Sequence, residues 1–295
     1  MNWKLTLSYD GTTFHGWQVQ PGLPTVQGAL AAAIAQVTGE TVLPQGSGRT
    51  DSGVHALMQV ASFSLEAPVP AANLLRALNR VLPASVRVLA ATAIDRGFHA
   101  RHSVRGKLYE YRIFERRTTR STPGEAALAR ICSPFLAPYV WDCRWLLDFE
   151  AMQQGAAALA GTHDFTSFAA SDPDKALRDE DGAAELDETG RRMKVNPVKT
   201  IQSSVWTRED GLLIYRVRGS GFLHHMVRNI VGTLVDIGRG SLFASDIPVI
   251  LDARDRTRAG PTAPARGLFL HTVEYDPRYA DDAGPVGADD AGSEQ

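Results

Sequence analysis

At 295 residues and 44% hydrophobic composition the chain can bury two ordinary cores, while no run approaches the roughly eighteen apolar residues of a membrane span. Met1-Asn2-Trp3-Lys4 enters a strand pattern with no signal-peptide core, and two cysteines, Cys132 and Cys143, suit neither a disulfide framework nor a zinc knuckle, so a soluble protein of the reducing cytoplasm, with no membrane partner, is expected. The formal net charge of −2 hides segregation: segment 171–188 holds eight acidic and two basic residues, segment 276–295 six and one, and the remainder carries +9.

The chain opens with a strand at 3–9, followed by a helix at 25–37 with Val26, Leu30, Ile34 and Val37 at helical spacing and Thr25 as N-cap. An extended segment at 41–45 leads into a glycine-rich loop; an alternating strand follows at 57–65, a helix is marked by Leu74, Leu75, Leu78 and Val81, and a strand runs over 86–94. This order, βαββαβ, is that of the split βαβ unit of ferredoxin-like folds. The theme recurs with a strand at 107–115, a helix at 148–160, strands at 198–206 and 211–218, a helix at 222–238 and a strand at 267–275. The expected architecture is α+β: two ferredoxin-like (RRM-like) halves, 1–100 and 101–277, joined into one extended antiparallel sheet with helices on one face and a central cleft. The polar, acidic stretch 169–197 reads as a loop insertion in the second half, and 278–295 as a disordered tail.

The loop Gly46-Ser47-Gly48-Arg49-Thr50-Asp51-Ser52-Gly53-Val54-His55-Ala56 confines one carboxylate among glycines, hydroxyls and an arginine. Glycines at 46, 48 and 53 allow a substrate to approach closely, and Arg49 favours an ionised neighbour, which makes Asp51 the candidate nucleophile or base. The alternative is an Asx-type turn in which Asp51 bonds its own backbone. Basic residues concentrate over 95–120, where Arg101, Arg105 and Lys107 flank Tyr109 and Tyr111, and Arg216 and Arg218 alternate along a later strand; all five cations are candidate phosphate contacts. The His224-His225 doublet has no acidic or cysteine ligand at recognisable spacing, so no metal is expected.

The loop resembles the catalytic segment of the tRNA pseudouridine synthase A family, and further signatures stand in that family's order: Tyr9-Asp10-Gly11, Phe14-His15-Gly16-Trp17-Gln18, Phe98-His99-Ala100-Arg101, Lys107-Leu108-Tyr109-Glu110-Tyr111, His163 to Phe168, Phe222 to Asn229, and Gly267-Leu268-Phe269-Leu270. The resemblance implies an isomerase that converts uridine to pseudouridine at positions 38, 39 and 40 of the tRNA anticodon stem-loop, without a cofactor and as a homodimer. It implies Asp51 as the catalytic residue, Arg228 as the arginine paired with it, Tyr109 as the aromatic that stacks on the base and helps remove its C5 proton, and Leu268 as the apolar contact on the base's other side. Ser52 stands where the family often has alanine, and Leu108 where a charged residue can occur. Two other classes compete with this expectation: an RNA-binding module with no chemistry, and a carboxylate-dependent glycosidase acting on small sugars, which would need a second carboxylate.

Overall fold

The computed structural model describes residues 1–116, 130–170 and 196–279. Most of the expected acidic insertion, from 171 to 195, and the tail from 280 onward lie outside the described residues. Arg278 and Tyr279, assigned to that tail, are placed: the Tyr279 carbonyl accepts from Lys4 Nζ at 2.7 Å and its ring meets Phe98 edge-on at 5.0 Å.

Alternation builds the first layer. Trp3, Leu5, Leu7 and Tyr9 of β1 (Asn2–Tyr9) are all buried, and β1 runs antiparallel between β3 (His55–Ser64) and β4 (Val86–Ile94). Helix α1 (Val26–Thr38) starts at Thr25, whose extended backbone lets its side chain accept from Gly28 N–H at 3.3 Å, and stops at Gly39 with φ 78°. Its Leu30 and Ile34, with Leu74 and Leu78 of α2 (Ala71–Val81), are fully buried. Each such side chain contributes about 1.5–3 kcal/mol through removal from water. Strand β2 is only Gln45–Gly46, shorter than the extended segment expected there.

The second half supplies β5 (Gly106–Glu115), β6 (Trp141–Cys143), α3 (Phe149–Ala157), β7 (Gly161–Asp164), β8 (Val198–Glu209), β9 (Leu212–Gly219), α4 (Met226–Gly238), α5 (Asp246–Ala253) and β10 (Leu268–Glu274). Helices α3 and α4 meet in close approach: a Cβ at Gly155 would lie 2.8 Å from Ile237 Cδ1, and one at Gly238 would lie 2.6 Å from Met152 Sδ. Helix α4 begins at Met226, not at 222, because His225 takes φ 57° and turns the chain before the helix can start.

All ten strands of the described residues join one mixed sheet, ordered β4-β1-β3-β10-β5-β9-β8-β7, with β2 on β3 and β6 on β5. The expected all-antiparallel sheet needs correction at two pairings, β3 with β10 and β5 with β6, which are parallel. Neither pair is linked by a hairpin, so nothing forces antiparallel directions on them. The β3–β10 pairing, Phe269 beside His55 and Leu270 beside Ala56, has the larger consequence. It sets the loop before β3 next to the start of β10, and β10 in turn pairs Leu268 with Tyr111 and Leu270 with Tyr109 of β5.

Candidate active site

The loop from 47 to 54 is held from below and from both sides. Ser47 Oγ donates to Gln59 Oε1 at 2.6 Å, Gln59 Nε2 donates to the Gly48 carbonyl at 3.0 Å, and Lys107 Nζ donates to the Ser47 carbonyl at 2.9 Å. The segment after β1 clamps the other side: Trp17 N–H donates to Thr50 O at 3.0 Å, Gly53 N–H to Phe14 O at 3.2 Å, and Tyr9 and Thr50 share a hydroxyl hydrogen bond of 2.8 Å. Gly11 is the tightest contact in this clamp, since a Cβ there would fall 2.0 Å from the Val54 carbonyl oxygen. His55 is buried and completes the brace, accepting from Gly11 N–H through Nδ1 at 3.0 Å while Nε2 faces the Pro138 and Arg266 carbonyls, each at 3.2 Å. Burial holds this imidazole below its ordinary pKa, against the pull of Asp10.

On this platform Asp51 keeps its carboxylate for a partner from the far half of the chain. Arg228 Nη1 donates to Asp51 Oδ2 at 2.9 Å, and Arg228 Nε donates to the Ala263 carbonyl at 2.8 Å, which fixes the direction of the guanidinium. An Asx turn is not what occupies Asp51; the turn there is a backbone one, from Val54 N–H to the Asp51 carbonyl at 3.1 Å. Asp51 and Arg228 are 21% and 15% exposed, so the pair is sheltered yet reachable. His224 and His225 also face it, with Nε2 atoms 3.6 Å from Oδ1 and 3.3 Å from Oδ2.

These residues line a cavity of about 690 Å³, a size suited to a bound nucleotide. Tyr109 forms part of its wall, buried and packed edge-on against Phe222 at 5.0 Å, with Leu268 in the same lining. Burial raises the Tyr109 phenol above its ordinary pKa and the Asp51 charge adds to this, so it stands in the cavity as a neutral group. Arg49, Arg101, Lys107 and Arg228 are the lining cations, and among the described residues Asp51 is the lining's one carboxylate. Burial lowers Lys107 to about 8, with Arg101 and Lys199 adding repulsion.

Three of the expected phosphate contacts stand elsewhere, each in an ion pair. Arg105 pairs with Asp276, Arg218 binds Glu274 through two bonds of 2.6 Å, and Arg216 reaches Glu110 at 2.8 Å and Glu209 at 2.6 Å. For Arg216 and Arg218 strand alternation explains it: paired with Glu110 and Leu108, they occupy the face opposite Tyr109 and Tyr111, while Arg105 lies before β5. Sequence alone gives no role to the brace from Tyr9 to Trp17, with Gln59 and Ala263, that holds the loop and Arg228. Its legible signals are the Tyr9-Asp10-Gly11 and Phe14 to Gln18 motifs and the polar Gln59 in the alternating strand at 57–65.

Although the doublet lacks an acidic neighbour in sequence, the fold brings it one. Asp51, His224 and His225 offer ligand atoms within 4.8 Å of one another, a donor set suited to a borderline divalent ion such as zinc. The Arg228 guanidinium on Oδ2 and the N-terminus of α4 oppose a cation there.

The sequence pattern of the tRNA pseudouridine synthase family matches residues 6–103 and 156–276. A tRNA pseudouridine synthase A of Solibacter usitatus is 46% identical over 273 residues, covering 92% of this chain and 98% of its own. One of Moorella thermoacetica is 44% identical over 275 residues, covering 92% and 98%, and one of Acetivibrio thermocellus 39% identical over 274, covering 93% and 99%. The matched segments contain the Asp51 loop, Arg228 and Leu268 together with the strands that align them, and the chain belongs to the tRNA pseudouridine synthase family, whose members are isomerases.

Proposed function

We propose that the protein isomerises uridine to pseudouridine at positions 38, 39 and 40 of the tRNA anticodon stem-loop, with Asp51 as the reacting carboxylate. The observation that carries this reading is the cavity lining: one carboxylate, paired with Arg228, beside an aromatic and an aliphatic wall and four cations. A glycosidase working by the usual pair of carboxylates finds no second one among the described lining residues.

In the reaction the N1–C1′ bond of uridine breaks, a C5–C1′ bond forms, the proton on C5 leaves and N1 gains one. Every heavy atom of the substrate is kept and no net oxidation occurs, so a cofactor is not part of the proposal. Asp51 can begin by attacking C1′, by attacking C6 or by taking a proton from C2′. Arg49 and Arg228 support the site, Arg228 by aiming the carboxylate. Tyr109 and Leu268 hold the uracil from two sides while it turns, a stack worth about 1–3 kcal/mol. As a neutral phenol Tyr109 accepts the C5 proton only by passing its own onward. Water has to be kept out while the base is detached.

A stem uridine reaches Asp51 only by leaving its helix, so the base is flipped. Neighbouring positions serve as targets, which requires recognition by shape and phosphates more than by base edges. Arg101 and Lys107, inside the cavity, are favoured for the phosphates next to the flipped nucleotide. Arg105, Arg216 and Arg218 serve RNA only by giving up their carboxylate partners.

Two ferredoxin-like halves, 1–100 and 101–277, are part of the same reading. The strand orders β4-β1-β3-β2 and β10-β5-β9-β8 support it. So are a homodimer and a cytoplasmic location, which the family resemblance implies. Chemical mapping of pseudouridine in total tRNA from cells with and without this protein tests the function. Loss of pseudouridine at 38, 39 and 40 supports it, and an unchanged map there contradicts it.

A further inference from the structure

The direction of Arg228 depends on Ala263, and Ala263 is placed by the turn that precedes it. Two hydrogen bonds join the pair: Ala263 N–H donates to the Arg228 carbonyl at 3.1 Å, and Arg228 Nε donates to the Ala263 carbonyl at 2.8 Å. The chain from 256 to 263 is pressed against α4. A Cβ at Gly232 would fall 1.6 Å from the Pro261 carbonyl oxygen, and one at Gly260 would fall 2.7 Å from Thr233 Cα. Gly260 N–H donates to Thr233 Oγ1 at 2.9 Å, and Thr262 Oγ1 donates to Asn229 Oδ1 at 2.7 Å.

Arg256 sits at the centre of this contact. Its Nη1 donates to the Ala259 and Gly260 carbonyls at 3.2 and 2.9 Å, and its Nη2 donates to Asn229 Oδ1 and Thr262 Oγ1 at 3.0 and 3.3 Å. All four acceptors are neutral, and among the described residues no carboxylate pairs with this half-buried cation. One arm of the fork closes the turn on itself, and the other ties it to α4 at the residue after Arg228. Asn229 is itself fixed, being buried and donating from Nδ2 to the Phe168 carbonyl at 2.7 Å. We propose that Arg256 is a positioning residue for the isomerisation: it folds the 256–263 turn onto α4 and so fixes the Ala263 carbonyl that directs Arg228 onto Asp51. It lies outside the cavity lining and acts through Arg228. This rests on the reading of Asp51 as the reacting group.

The test is a double-mutant cycle on single-turnover tritium release from tRNA carrying [5-³H]uridine, well below the melting temperature of each variant. Arg256→Gln is expected to lower the rate by about 10–100-fold with tRNA affinity within about threefold of wild type. Lysine at 228 already forfeits the Ala263 end, so adding Arg256→Gln to Arg228→Lys should cost less than about threefold more. A role in stability alone would lower the rate by the same factor in both backgrounds, and that result overturns the proposal. So does a folded Arg256→Gln whose rate stays within about threefold of wild type. Arg256→Lys keeps the charge without the fork and should stay at least about fivefold below wild type; full recovery would assign the effect to charge and overturn the proposal as well. If Arg256→Gln does not fold, Thr262→Val carries the same comparison, because it removes the hydroxyl that joins Arg256 to Asn229. Failure of the Asp51 reading is separate, because it is read from turnover by Asp51→Asn.

Discussion

Arg228 and Asp51 are 177 positions apart in the chain and meet at 2.9 Å, with the arginine's remaining reach taken up by the Ala263 carbonyl. The guanidinium therefore serves as a two-ended strut between β10's approach and the loop before β3. Lysine cannot serve both ends, having one point of charge and no fork. Arg228→Lys is expected to lower kcat by about 10²-fold or more with tRNA affinity nearly unchanged. Arg228→Ala should in addition cost about 1–2 kcal/mol, less than a fully buried pair because both partners keep some solvent contact. Single-turnover kinetics and thermal melts check both.

The hydroxyl of Tyr109 separates stacking from proton handling. Tyr109→Phe keeps the edge-on contact with Phe222 and the wall of the cavity, so tRNA binding should stay within about threefold. If the hydroxyl passes on the C5 proton, turnover should fall by about 10²–10⁴-fold. Comparing rapid-quench rates with filter-binding affinities distinguishes the two.

Lys107 gives tRNA binding a pH dependence of its own. Its pKa is lowered to about 8 by burial, so the charge offered to a phosphate is present at pH 7 and lost as pH rises through that value. Affinity for tRNA should weaken between pH 7 and 8.5, and Lys107→Met should be weaker throughout and flat over that range. For folding the sign reverses: the unfolded lysine stays protonated to higher pH, so the penalty for burying the charge fades between about 8 and the ordinary lysine value.

Cations inside and outside the cavity should behave differently on removal. Arg101→Ala is expected to weaken tRNA binding and reduce the slope of log affinity against log salt by about 1. Arg216→Ala should leave that slope unchanged and lower stability by about 1–3 kcal/mol, since the buried Glu110 then loses one of its two arginine partners among the described residues. Salt titrations and melts of the two variants give the comparison.

Local signals carried much of this structure. Thr25 caps α1 as its spacing implies, because capping depends on neighbours within four residues, and Asp51 stands out because glycines and hydroxyls crowd one carboxylate. What escaped depends on distant partners. The fates of Arg105, Arg216 and Arg218 rest on Asp276, Glu110, Glu209 and Glu274, which only the sheet register brings near. The apolar pattern extends the helix to 222 because it carries no sign of the left-handed turn at His225, after which α4 starts. Nothing local shows why Gly11 and Gly16 are glycines, because the Val54 and Thr50 carbonyls pressed against them come from a loop far along the chain.

The central claim, that one carboxylate in this cavity carries the isomerisation, is tested most directly by Asp51→Asn. The substitution keeps the size of the side chain and an oxygen for Arg228, and removes the reacting carboxylate. Tritium release from [5-³H]uridine tRNA should fall by at least about 10³-fold while tRNA affinity stays within about threefold of wild type. Release at a rate within tenfold of wild type, from a folded variant that binds tRNA, would contradict the account.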